Sequence, residues 1–207
     1  MNATILDERP DLRLIAEMVR PDARVLDLGC GGGELLAWLQ AEKGVTGYGL
    51  EIDPLQITRC LERGVNVLEQ DLDGDLTTFV GAGFDMVVMT ETLQAVRHPD
   101  RVLEAMLDIA PAGIVTFPNF GHWRIRAQLA ATGRMPVTSA LRHQWFDTPN
   151  IHLCTFGDFE ALCAERGIRI TGRHVVDANY RSGTLTSRFP NLLGTIAIYA
   201  IAREDDA

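Results

Sequence analysis

Apolar residues recur along the chain in two alternating rhythms. Short runs that are apolar throughout read as buried strands. Stretches with apolar residues three and four apart read as helices lying on them. "DLRLIAEMV" (11–19) is a leading amphipathic helix, stopped by Pro21, and "ARVLDL" (23–28) is the first strand. "ELLAWLQAEK" (34–43) is a helix with Leu35, Leu36 and Leu39 on one face and Gly44 as its stop. "VTGYGLEI" (45–52) is the second strand, and "PLQITRCLERG" (54–64) is a helix opened by Pro54 and ended at Gly64. "VNVLEQ" (65–70) and "FDMVVM" (84–89) are the third and fourth strands, the latter apolar enough to be central. "DRVLEAMLDIA" (100–110) is a helix that turns Val102, Leu103, Met106 and Leu107 inward, and "AGIVTFP" (112–118) is the fifth strand.

The alternation then pauses. Residues 119–153 show no regular period before the next helix, "FGDFEALCAERG" (156–167), which Thr155 and Asp158 open with a capping-box pattern. Two strands close the chain, "IRITGRHVV" (168–176) and "LGTIAIYAIA" (193–202), joined by a polar loop. Strand–helix alternation predicts an α/β fold: a mostly parallel, doubly wound sheet covered on both faces, three layers in all. Closing strands without an intervening helix predict an antiparallel pair at one end. The expected organisation is a single domain over 1–207 with an irregular insert at about 119–153.

Bulk composition narrows the function classes. The chain has 207 residues, 46% of them hydrophobic, enough for one full-sized core. Its formal charge of −9 opposes general binding to phosphate backbones, so no nucleic-acid partner is expected. No apolar run approaches the roughly 18 residues that span a bilayer. The N-terminus lacks the basic-then-apolar order of a signal peptide, so a cytoplasmic protein without a membrane partner is expected. Four scattered cysteines suit free thiols in a reducing compartment. Five histidines without metal-ligand spacing give no reason to expect a metal site.

The candidate chemistry begins at "VLDLGCGGGELL" (25–36), where four glycines occupy five positions directly after the first strand. In open α/β sheets the ligand crevice lies at the carboxyl ends of the strands. Gly29, Gly31 and Gly33 make G-x-G-x-G, but the dinucleotide pattern would need glycine where Glu34 stands. The P-loop's Lys-Ser/Thr pair is also missing. Asp27 and Glu34 flank the loop and oppose a phosphate there. S-adenosylmethionine has no phosphate. It carries an α-ammonium, a carboxylate and a sulfonium, so glycines can admit its aminoacyl end while an acid receives the ammonium, directly or through water.

Two more acids stand at successive strand ends. Glu51, 18 residues after Gly33, can accept both ribose hydroxyls, and Asp71 can accept the adenine amino group. Leu72 can add a backbone N–H and an apolar wall. The candidate nucleoside-binding set is Asp27, Gly29, Cys30, Gly31, Gly33, Glu51, Ile52, Asp71 and Leu72. Each acid also has a structural alternative: Asp27 as a helix cap, Glu51 as a solvated strand end beside an Asp53 cap, and Asp71 as a turn residue.

"VLDLGCGGG", "YGLEIDP", "QDL" and "FDMVVMTETLQAV" together resemble class I S-adenosylmethionine-dependent methyltransferases over most of the chain. The resemblance implies a Rossmann-like seven-stranded sheet whose last strand is antiparallel. It also implies S-adenosylmethionine or S-adenosylhomocysteine as the ligand. It does not name an acceptor. Adenine-N6 enzymes of this type carry a D/N-P-P-Y motif after the fourth strand. "TETLQ" stands there instead, which argues against base methylation.

The insert differs from the rest in charge. It holds four arginines (Arg124, Arg126, Arg134, Arg142) and one acid, Asp147, a formal +3 that leaves −12 elsewhere. It also holds Phe120, Trp123, Trp145 and Phe146. Such a segment is either a lid that packs its aromatics or a recognition surface for an anionic molecule or acidic protein. Asn119, His122 and Trp123, just after the fifth strand, are the candidates for an acceptor side; no catalytic residue is otherwise assigned.

"LQAVRHPDRVLEAML", "TFPNFGHWRIRAQL", "GRMPVT" and "HQWFDTPNIHLCTFGDFEALC" are similar to the methionine-biosynthesis protein W family, MetW, nearly end to end. "GGG" at 31–33 replaces that family's more usual G-D-G. The resemblance implies a role beside homoserine O-acyltransferase, MetX, in methionine biosynthesis. Two functions stay open: a nucleoside-binding partner or regulator of that acyltransferase, and an active methyltransferase on a small anionic metabolite. The fold alone leaves enzymatic turnover undecided.

Overall fold

The computed structural model describes residues 10–138, 141–177 and 183–203. Its strands are β1 (Arg24–Leu28), β2 (Thr46–Glu51), β3 (Val67–Glu69), β4 (Met86–Thr90), β5 (Ala112–Pro118), β6 (Ile168–Val176) and β7 (Ile196–Arg203). They form one sheet in the order β3-β2-β1-β4-β5-β7-β6. β1 through β5 pair in parallel, and β7 runs antiparallel to both β5 and β6. This is a mixed seven-stranded sheet with an antiparallel closing strand, as the sequence predicts. The strand order reverses direction between β1 and β4, so the crevice for a ligand opens beside the end of β1.

Strand parity sorts the core into two layers. Leu26, Val87, Val115 and Tyr199 face α4 (Pro99–Ile109) and α6 (Phe156–Glu165), which bury Leu103, Met106, Phe156 and Phe159 against them. Val25, Val88, Ile114 and Ile198 face α1 (Pro10–Met18), α2 (Glu34–Lys43) and α3 (Pro54–Glu62). Leu35, Leu36 and Leu39 of α2 are buried in that second layer, as their spacing predicts. Each such side chain contributes about 1.5–3 kcal/mol by burial. Asp27 has the parity of Val25, so its carboxylate lies in the second layer, under the glycine loop.

Local signals place the helix ends. Asp53 accepts the Leu55 N–H at the start of α3. Thr155 and Asp158 form a complete capping box on α6. Two regions differ from the sequence reading. The insert contains a ten-residue helix, α5 (Trp123–Thr132), in which only Ile125 is buried. A helix exposed on nearly every side leaves no apolar stripe to read. The connection between β6 and β7 contains short helices α7 (Thr184–Arg188) and α8 (Pro190–Leu193), while 178–182 of that loop lie outside the described residues. Among the described residues, no helix is long and apolar enough to cross a membrane.

Candidate functional site

The glycine loop turns sharply from β1 into α2 and is tied to β2. The N–H groups of Gly29 and Cys30 both donate to the Leu50 carbonyl, at 2.8 and 3.1 Å. Gly29 has φ +72°, and a Cβ there would sit 2.5 Å from Thr92 Oγ1, so only glycine fits. Gly31 behaves differently: a Cβ on it would meet nothing within 4 Å, because the loop opens outward there.

Glu51 at the end of β2 organises this opening. Its Oε2 accepts the Gly31 N–H at 2.8 Å, and its Oε1 accepts the N–H groups of Ile52 and Asp53 at 2.8 and 3.0 Å. An ionised carboxylate has about four acceptor positions, so it keeps capacity for a further donor. Glu51 is thus a strap for the glycine loop as well as a candidate ribose acceptor.

Asp27 is 1% exposed, and its Oδ1 has no hydrogen-bond partner among the described residues. Burial pushes its carboxyl up to about 7, and the Glu51 and Glu34 carboxylates push the same way. A buried acid with an unpaired oxygen suits an arriving cation. Glu34 does not share that role. Arg63 pairs with it at 2.9 Å and also donates to the Gly32 carbonyl at 2.6 Å. The opposition to phosphate expected from Asp27 and Glu34 together therefore falls to Asp27 and Glu51.

Beneath the loop, the Cys30 and Cys60 sulfurs approach to 3.7 Å, and Cys60 Sγ donates to the Gly31 carbonyl. All four cysteines are free. Burial raises both thiols above the ordinary range, which keeps them protonated packing groups.

A cavity of about 310 Å³ lies over the ends of β1, β2, β3 and β4, within the size range of small-molecule sites. Five of the nine predicted nucleoside residues line it: Gly29, Glu51, Ile52, Asp71 and Leu72. Asp27, Cys30, Gly31 and Gly33 are not in the lining; they form the floor and frame of the loop. Asp71 also makes a turn, its Oδ1 accepting the Asp73 N–H at 2.9 Å, which is its structural alternative.

The sequence reading missed three parts of the wall. Gln70 and Asp73 extend the Asp71 corner. Glu91, Thr92, Ala95 and Val96 follow β4, whose place beside β1 was the available signal. Pro149 and Asn150 come from the insert, where no period announced them. Glu91 is held in a left-handed conformation, φ 51°, unusual for a residue other than glycine.

None of the three acceptor-side candidates lines this cavity. Asn119 is 1% exposed; its Nδ2 donates to the Asn191 and Gly194 carbonyls at 3.1 and 2.8 Å, and its Oδ1 accepts the Gly121 N–H. It fastens the start of the insert to the α8 region. His122 Nδ1 accepts the Arg124 N–H and caps α5, while burial and Arg124 lower its pKa. Trp123 is 46% exposed with the Arg124 guanidinium 5.4 Å from its ring.

Comparison with known proteins identifies the family and the fold. The family model "Methionine biosynthesis protein MetW" matches residues 9–201. The bifunctional methionine biosynthesis protein MetXA/MetW of Rhodopirellula baltica is 29% identical over 204 residues, covering 94% of this chain. This chain spans only 33% of that relative's length. A solved S-adenosylmethionine-dependent methyltransferase from Archaeoglobus fulgidus superposes with a TM-score of 0.69 at 16% identity, over 96% of this chain and 94% of the other. The magnesium protoporphyrin IX methyltransferase of Synechocystis, solved with bound S-adenosylhomocysteine, gives 0.62 at 17% identity over 98% and 83%. At these identities the structures speak for the fold alone.

Proposed function

The chain belongs to the MetW family of methionine biosynthesis proteins, and from that premise we propose that it binds S-adenosylmethionine or S-adenosylhomocysteine and tunes homoserine O-acyltransferase, MetX. The observation that carries the ligand is the pairing of an unpartnered, buried Asp27 oxygen with a cavity whose wall contains Glu51 and Asp71. In this reading Asp27 receives the α-ammonium, directly or through one water. Glu51, with three acceptor positions already taken by backbone N–H groups, accepts one ribose hydroxyl while strapping Gly31 in place. Asp71 and Leu72 meet the adenine. Bound S-adenosylmethionine would supply an electrophilic methyl group and a sulfonium charge; these residues bind and orient it.

The partner is supported by the Rhodopirellula relative, whose name joins MetXA and MetW in one polypeptide. S-adenosylmethionine is made from methionine, so its occupancy reports the end product of the pathway. Such a signal acts on the acyltransferase only if the ligand favours one state of the complex.

Calorimetric titration with both nucleosides tests the pocket. Wild type binds at least one of them, and Glu51→Gln weakens binding about tenfold or more by losing charge-assisted acceptance. Absence of heat with both ligands would remove the reading. Methyl transfer is the competing reading, favoured by the strained Glu91 backbone at the cavity wall. It predicts release of S-adenosylhomocysteine from S-adenosylmethionine in the presence of a pool of small anionic metabolites.

A further inference from the structure

We propose that the Trp145–Phe146 face of the insert docks the acyltransferase, and that residues 149–152 transmit nucleoside occupancy to that face. The proposal rests on the function proposed above and adds the surface and the route. Trp145 and Phe146 are 72% and 69% exposed and stack edge to face, with ring centroids 5.7 Å apart. Among the described residues, eight of the seventeen exposed large hydrophobics fall within 119–153. Exposed aromatics are the residue type enriched at interface centres.

The occupant is the acyltransferase. Arg142 and Asp147 flank the aromatic pair and sum to zero formal charge, so the face offers apolar contact rather than charge. The MetXA/MetW relative carries its two functions on one polypeptide, of which this chain matches 33%, so the partner portion is held beside this domain by the chain itself.

The route is short. Pro149 and Asn150, three and four residues after Phe146, line the nucleoside cavity. The next two N–H groups, of Ile151 and His152, donate to the Gln94 carbonyl at 2.8 and 3.0 Å. Gln94 lies between Thr92 and Ala95, both in the same cavity wall. One stretch of backbone therefore carries the aromatic pair, touches the cavity and is pinned to its wall. A ligand pressing on 149–150 shifts the set of positions open to 145–146, and a docked partner restricts the cavity in return.

The test uses the full chain and the acyltransferase of the same organism. Partner affinity is read by biolayer interferometry, and S-adenosylhomocysteine affinity by calorimetry. Trp145→Ala/Phe146→Ala weakens partner binding at least about tenfold and leaves nucleoside affinity within about twofold. In wild type, saturating nucleoside shifts partner affinity about threefold or more, and the partner shifts nucleoside affinity by the same factor. Should the double variant fail to fold, Phe146→Ser alone carries the test. Unchanged partner affinity in a folded variant overturns the docking face and leaves the proposed function standing. A wild-type partner affinity indifferent to nucleoside overturns the route. Failure of the wild-type chain to bind the acyltransferase at all removes the proposed function itself.

Discussion

Asp27→Asn tests the most specific electrostatic feature of the site. The wild-type carboxyl is 1% exposed, has an unpaired oxygen, and is raised from 3.8 to about 7. The folded chain therefore holds this proton more tightly than the unfolded chain does. The linked stability is fully present below pH 4 and is lost as pH rises toward 7. Three pH units at 1.36 kcal/mol each make the loss about 4 kcal/mol in the ligand-free protein. A neutral amide at this position carries no such slope, so Asp27→Asn matches wild type near pH 4 and exceeds it at pH 8. The ligand reverses the comparison, because an ammonium needs the carboxylate. About a tenth of Asp27 is ionised at pH 6 and about nine-tenths at pH 8, so wild-type affinity for S-adenosylhomocysteine rises about tenfold between them. Calorimetry at pH 6 in two buffers of different ionisation enthalpy should show nearly one proton released per ligand. Denaturant melts at pH 4 and pH 8 supply the stability arm. Flat affinity from pH 6 to 8, together with full affinity in Asp27→Asn, would refute the ammonium contact.

Other substitutions separate frame from site. Gly31→Ala meets open space and costs only about 1–2 kcal/mol of left-handed strain, yet weakens nucleoside binding; Gly29→Ala strikes Thr92 and lowers the melting temperature more than Gly31→Ala does. Asn119→Ala leaves the Asn191 and Gly194 carbonyls without their donor and destabilises by about 2–3 kcal/mol in urea melts. An unchanged melt with lost turnover would instead return Asn119 to the acceptor side. Gln94 is 2% exposed with both amide atoms unpartnered among the described residues, beside a cavity of about 210 Å³, so Gln94→Met raises stability by about 1 kcal/mol; a loss would mean that a water or ligand satisfies the amide.

The sheet was legible because buried strands read directly from apolar runs, and Leu35, Leu36 and Leu39 announced the face of α2. The closing antiparallel pair was readable, but the insertion of β7 between β5 and β6 is a pairing choice that no single strand encodes. α5 escaped because its only buried residue, Ile125, cannot make a period. In the site, strand-end acids such as Glu51 and Asp71 stand out from spacing alone. Their hydrogen bonds do not: the strap from Glu51 to Gly31 crosses 20 residues, and the Arg63 pairing with Glu34 crosses 29. That last contact changed the electrostatics of the loop, since an acid counted as free is neutralised by a distant cation. Pro149 and Asn150 reach the cavity only through the path of the insert, which carries no local signature.

Coupling between the nucleoside pocket and the acyltransferase is read most directly in one rate measurement. The initial rate of the acyltransferase is followed against S-adenosylmethionine concentration with no added protein, with wild type and with Glu51→Gln. Wild type changes the rate, the nucleoside shifts this effect at concentrations matching its affinity, and Glu51→Gln moves the shift to higher concentration. A rate that ignores the protein at every nucleoside concentration rules out the coupling.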